Sequence, residues 1–219
     1  VISLKALTVV SVTAILVAGC ISYDQELVLN DDGSGTVKIH YTSDDPHGAE
    51  GAPVLPFTEK KIEADFAGSG AVVRDVYVFA PNEPAEGSHE AVYYLDFTDI
   101  TDLNGRGIFA VKDPTGTRDA MTQIFTLEEA GGTTTFTQTC TLNIEVEDTT
   151  GLEDYRFTYS LTCPEAVTMA NGTVESGGYT VNWSYTLPEL INNPVKMYAV
   201  YRESGGTGQG CIGTGMVSD

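Results

Sequence analysis

Between residues 133 and 163 the chain alternates apolar and polar side chains with a period of two, broken once around Gly151. Such alternation belongs to strands buried on one face, because successive strand side chains point to opposite sides of the backbone. Phe136, Cys140, Leu142, Ile144 and Val146 share a face of the first run, and Tyr155, Phe157, Tyr159, Leu161 and Cys163 share a face of the second. With a loop centred on Gly151, antiparallel pairing opposes Val146 to Phe157, Ile144 to Tyr159, Leu142 to Leu161 and Cys140 to Cys163. A slip of one residue would spoil every pair. The two thiols would then lie about 4.5–5.5 Å apart at Cβ, which makes Cys140–Cys163 a candidate disulfide; the alternative is two buried free thiols.

The same period recurs along the chain. Tyr23, Gln25, Leu27 and Leu29 alternate with Asp24, Glu26 and Val28, and after Asp32-Gly33 a second run sets Val37, Ile39 and Tyr41 against Lys38, His40 and Thr42. Two such runs joined by an Asp-Gly turn predict a hairpin. A calcium loop with Gly33 at its sixth position would need a ligand from Val28, which has none to offer, so a tight turn is the better account. Further strands are expected at residues 72–79 and 91–97, paired as a hairpin, at 107–112 paired with 121–127, at 167–170 paired through Asn171-Gly172 with 179–187, and at 195–201. One helix is predicted over residues 59–67, with Thr58 as N-cap, Phe57 and Ile62 as a hydrophobic staple and Gly68 as its stop. Ile100 and Leu103 face inward from a short turn, and residues 189–193 form another helical turn. The fold class is α+β: a mainly antiparallel sheet built from hairpins, with one amphipathic helix packed on it.

The first twenty residues do not fit that body. Lys5 precedes an uncharged run that closes on Leu16-Val17-Ala18-Gly19-Cys20, the layout of a secretory signal and too short for a comfortable membrane span. The pentapeptide resembles a bacterial lipobox. The resemblance implies cleavage after Gly19 and acylation of Cys20; the alternative is an ordinary cleavage site with an incidental thiol. Two or more acyl chains hold a protein stably on a bilayer where one does not. The organisation read from sequence is therefore a lipoprotein signal peptide at 1–19, a single α+β domain at 20–202 with a candidate division near 104–118, and a Gly-rich flexible tail at 203–219. The resulting location is the bacterial cell envelope, outside the cytoplasm, and the outer membrane in a Gram-negative host because Ile21 is not Asp.

Charge narrows the partners. The chain carries 31 acidic against 11 basic residues, a net charge of −20, and removal of residues 1–19 takes away one more lysine. Sequence-independent binding to phosphates and anionic headgroups is supplied by Lys and Arg, so nucleic acid is excluded as a partner and membrane attachment falls to acyl chains on Cys20.

The Tyr-rich first strand, Leu29-Asn30-Asp31-Asp32-Gly33-Ser34-Gly35, the helix entry Leu55-Pro56-Phe57, the stretch 97–103 and Val181-Asn182-Trp183 after Asn171-Gly172 together resemble a group of uncharacterised bacterial lipoproteins. The second half is similar to the mycobacterial LppM-type lipoprotein domain. The resemblance implies an α+β body in contact with envelope lipid and specifies no catalytic residues.

No constellation for catalysis stands out. Gly208 to Gly213 match the dinucleotide fingerprint, but no helix can follow in the residues that remain. His40, His47 and His89 are far apart in sequence, so no metal site is expected, and His40 falls on the polar face of its strand. No cofactor and no enzymatic activity are expected. The leading reading is a non-catalytic, lipid-anchored module that binds an apolar ligand or a partner protein, with Tyr93, Phe97, Tyr159, Trp183 and Tyr185 as candidate lining of an apolar pocket, or else as ordinary core. The alternatives are a structural or assembly lipoprotein and an envelope hydrolase.

Overall fold

A computed structural model describes residues 21–43, 53–79, 88–105, 110–113, 116–119, 121–143, 152–191 and 193–202. In chain order these form β1 (Ile21–Leu29), β2 (Gly35–Ser43), β3 (Pro53–Val54), α1 (Glu59–Phe66), β4 (Val72–Phe79), β5 (His89–Phe97) and a 3-10 turn (Ile100–Leu103). Then come β6 (Ala110–Asp113), β7 (Gly116–Asp119), β8 (Met121–Ala130), β9 (Thr133–Leu142) and β10 (Arg156–Thr162). β11 (Val167–Ala170), β12 (Thr173–Val174), β13 (Thr180–Thr186), a single turn α2 (Leu187–Leu190) and β14 (Val195–Arg202) follow.

Seven strands make a large sheet in the order β12-β13-β10-β1-β2-β5-β4, antiparallel throughout except where β1 lies parallel to β10. Four make a second, antiparallel sheet in the order β11-β14-β9-β8, and β3-β6-β7 form a third. The inner faces of the two main sheets meet: Gln25 on β1 donates to Gln138 on β9, and Cys140 on β9 touches Tyr159 on β10. Toward β2 and β5 the large sheet is covered by α1, whose Phe66 ring packs on Tyr93, and by Phe57, whose ring packs on Tyr41. One hydrophobic core takes buried side chains from β1, β2, α1, β5, β8, β9, β10, β13, α2 and β14, on both sides of residues 104–118.

Local expectations hold where a motif is self-contained. β1 and β2 pair in the predicted hairpin, with Gly33 at a φ of 79° in the turn. Thr58 caps α1 by accepting the Lys61 N–H, Phe57 and Ile62 are buried, and Gly68 follows the helix at a φ of 76°. β4 and β5 pair as expected. Ile100 and Leu103 are both buried.

Pairing across longer loops differs. Residues 133–142 and 156–162 do not form a hairpin: β9 lies between β8 and β14, and β10 between β1 and β13. Cys140 stands opposite Gln123 and Val195, and Cys163 lies just beyond β10, so the proposed thiol register does not exist. Both cysteines are free and buried. Ile144 and Val146 fall outside the described residues. The cause is physical: two apolar strand faces satisfy each other as well across a sandwich as edge to edge. The alternation therefore specified the buried faces and left the paired edges open.

The hairpin that does form joins β8 to β9 through Gly131-Gly132, both at positive φ, the backbone a two-residue turn between twisted strands requires. Accordingly β8 does not pair with residues 110–112, which belong to β6 and pair with β7 instead, and residues 107–109 fall outside the described residues. Nor is Asn171-Gly172 a hairpin turn. β11 before it joins β14 in the small sheet and β12 after it joins β13 in the large one, so the chain crosses between sheets at that dipeptide. Asn171 Oδ1 accepts both the Trp183 indole N–H and the Tyr198 backbone N–H, each at 2.9 Å. A Cβ on Gly172 would come within 2.6 Å of the Trp183 nitrogen.

Candidate functional site

Among the described residues, the inner faces of the two main sheets are joined by a polar network. Polar side chains at inward positions of β1, β8 and β9 close a ring across the two sheets. Tyr23 Oη donates to Gln25 Oε1 (3.1 Å), Gln25 Nε2 to Gln138 Oε1 (3.1 Å), Gln138 Nε2 to Gln123 Oε1 (3.1 Å) and Gln123 Nε2 back to Tyr23 Oη (3.5 Å). Gln138 Nε2 also reaches Gln25 Oε1 (3.4 Å) and Gln123 Nε2 the Met121 sulfur (3.0 Å), and these bonds satisfy groups that would otherwise cost heavily in a low-dielectric core. Burial holds the Tyr23 phenol far above its ordinary titration range. The space beside the ring, lined by Gln25, Val37, Ile39, Phe66, Leu103 and Gln123 among others, is about 20 Å³, enough for about one water.

The larger space lies on the opposite, outward face of the large sheet. There β1, β2, β10, β13 and β12 form a groove of about 420 Å³, lined by Asp24, Glu26, His40, Thr158, Ser160, Asn182 and Ser184, with Thr173 at its margin. Strand alternation puts these side chains together: the register rows Asp24–Thr158–Ser184 and Glu26–Ser160–Asn182 run across three neighbouring strands, and Asp24 faces His40 on β2. The Asp24 carboxylate accepts the Thr158 hydroxyl and lies 3.5 Å from His40 Nδ1. His40 Nε2 sits 3.0 Å from Glu90 Oε1, without the alignment of a hydrogen bond. Glu26 takes the Lys38 ammonium at 2.6 Å, and that bond holds Lys38 above its ordinary pKa. Hydroxyls, an amide and carboxylates on a half-open face suit a cationic or hydroxyl-bearing group and repel a phosphate. The Thr158 hydroxyl is committed to the Asp24 carboxylate.

The five aromatics expected to line an apolar pocket are separated. Tyr159, Trp183 and Tyr185 cluster on β10 and β13, Tyr159 pairing in register with Trp183 and lying 6.3 Å from the Tyr185 ring. Tyr93 and Phe97 sit on β5, with β1 and β2 between the two groups. Tyr93, Phe97, Tyr159 and Trp183 are buried in the core; Tyr159 and Trp183 also form part of the groove floor. Cys20 and Gly19 lie outside the described residues. Burial pushes the Cys140 thiol up to about 11 and the Cys163 thiol up to about 12. The sequence reading missed the glutamine ring, although Gln25 already stood among Tyr23, Leu27 and Leu29 on the apolar side of its strand. It placed His40 on the polar face of its strand but not its surroundings: the side chain is 29% exposed and flanked by two carboxylates.

No protein-family model and no curated relative matches the chain. Among solved structures it is similar to the folded domain of LppM from Mycobacterium tuberculosis, determined by NMR, at 15% identity and a TM-score of 0.46 over 86% of this chain and 93% of that one.

Proposed function

We propose that the protein is a lipid-anchored module of the bacterial cell envelope that binds a partner protein through the outward groove of its large sheet and carries out no chemistry of its own. Its membrane attachment is a set of acyl chains on Cys20. The observation that supports the reading is that the first described element, β1, starts at Ile21, so cleavage before Cys20 leaves every described element in the mature chain and puts the lipid-bearing residue next to the sheet. No helix among the described residues is long and apolar enough to cross a membrane. Of the two ligand classes left open by the sequence, a partner protein fits better than an enclosed apolar molecule, because the interior space is about 20 Å³ and the groove about 420 Å³. The groove's Asp24 and Glu26 would receive a basic side chain of the partner, with Thr158 and Ser160 hydroxyls alongside.

Mass spectrometry of the amino-terminal peptide of the mature chain tests the anchor. The expected species begins at Cys20 and carries diacylglyceryl mass; a free Cys20 thiol or a different terminus contradicts it. Asp24→Asn and Glu26→Gln together test the groove, with loss of partner capture as the expected result and unchanged capture as the contrary one.

A further inference from the structure

The outer edge of the large sheet exposes aromatic side chains at the end where Cys20 enters. β4 is the edge strand, and a bulge between Arg74 and Tyr77, with Asp75 at a φ of 50°, divides it. Beyond the bulge, Tyr77 pairs with Val92 and Phe79 with Glu90, both outward positions of β5, since Ala91 and Tyr93 are buried. Tyr77 is 63% exposed and Phe79 61%. Following the register from strand to strand, Phe79 shares a row with Glu90, Thr42 and Ser22, and Tyr77 shares one with Val92, His40 and Asp24. Phe79 is therefore level with the residue two places after Cys20, displaced sideways by three strand spacings, about 14 Å. Val72, at the other end of β4 and 64% exposed, shares a row with Asp96, Thr36 and Val28. That row is six residues further along β1, about 20 Å from the Ser22 row.

We propose that Phe79 and Tyr77 dock into the interfacial layer of the bilayer that holds the acylated terminus, fixing the large sheet with its β1 start and β4 end against the membrane. The inference rests on the anchoring reading above. With no linker between Cys20 and Ile21, the lipid chains bring this row of the sheet to the headgroups, where an aromatic ring with an apolar body is favoured. A tether plus a second apolar contact is the arrangement that makes membrane attachment persistent and oriented. The charged members of the Phe79 row, Glu90 and Arg156, carry opposite charges, so a zwitterionic surface suits it and the acidic body disfavours an anionic one.

The test uses the full acylated protein, extracted from its membrane and reconstituted into phosphatidylcholine vesicles with and without brominated phosphatidylcholine. Three variants each add one tryptophan at an exposed position: Phe79→Trp, Tyr77→Trp and, as the distant control, Val72→Trp. The docked geometry predicts flotation of all three with the vesicles. Emission from Phe79→Trp and Tyr77→Trp shifts to the blue and loses intensity on brominated lipid, whereas Val72→Trp and the unsubstituted protein, whose Trp183 is buried, show no change. Flotation without quenching at positions 79 and 77, or equal quenching at 72, overturns the docking and leaves the anchor standing. Failure of the unsubstituted protein to float removes the anchor and the docking together.

Discussion

β1 presents Tyr23, Gln25 and Leu27 to the core and Asp24 and Glu26 to the outer groove, and polar groups on its two sides behave oppositely. Inside, Gln25 belongs to a ring in which every donor and acceptor finds its counterpart within the protein. Outside, Asp24 and Glu26 are only partly engaged, by a threonine, a histidine and a lysine, and remain open to solvent. A closed network aligns two sheets and excludes ligands; an open one leaves capacity for a partner. The proposed partner binding therefore belongs on the side of the sheet turned away from the core.

Breaking the inner network should produce the largest effect. Gln138→Leu leaves Gln25 Nε2 and Gln123 Oε1 without their partner and should cost about 2–3 kcal/mol in urea unfolding. Replacing the whole ring, as Tyr23→Phe with Gln25→Leu, Gln123→Leu and Gln138→Leu, should recover most of that loss. A single substitution that changes stability by less than about 0.5 kcal/mol would show that the ring is not what holds the sheets in register. Next comes the crossing between sheets: Asn171→Ala removes the acceptor of both the Trp183 indole and the Tyr198 amide. It should cost about 2 kcal/mol, with a change in Trp183 fluorescence as the local readout.

On the outer face the same kind of removal should hardly register in stability. Thr158→Val deletes the hydroxyl that bonds Asp24, yet the half-open setting limits the cost to about 0.5 kcal/mol, and the effect should appear in partner capture instead. A cost like that of the inner ring would make the groove a structural network. The smallest expected signal comes from the buried thiols. At neutral pH burial keeps Cys140 and Cys163 protonated, so an alkylating reagent should leave both untouched in folded protein and label both in urea without reductant. Labelling of neither in urea would restore a disulfide.

The parts of this fold legible in the sequence were those whose signal is local. Thr58 with Phe57 and Ile62, the Asp32-Gly33 turn, and the inward faces of β1, β2, β5 and β10 all follow from short-range chemistry. Edge partners did not, because Phe157 and Leu161 are equally well buried beside β1 and β13 or opposite β9. Gly131-Gly132 held the information that would have paired β8 with β9, and giving residues 133–142 a partner after Gly151 overlooked it. Asn171-Gly172 misled for the opposite reason: a dipeptide suited to a turn serves here as a clamp between sheets, with Gly172 required by the close approach of Trp183. The groove was least legible of all. It assembles Asp24 and His40 with Thr158 and Asn182, which only the parallel β1–β10 pairing brings together.

Native mass spectrometry of the protein released from its own membrane tests the central claim most directly. A closed interior on a lipid tether predicts one mass, the chain from Cys20 with its covalent acyl groups, and no further lipid retained once detergent is stripped away. A stoichiometric lipid that stays bound, or a mature chain without acyl mass, would contradict it.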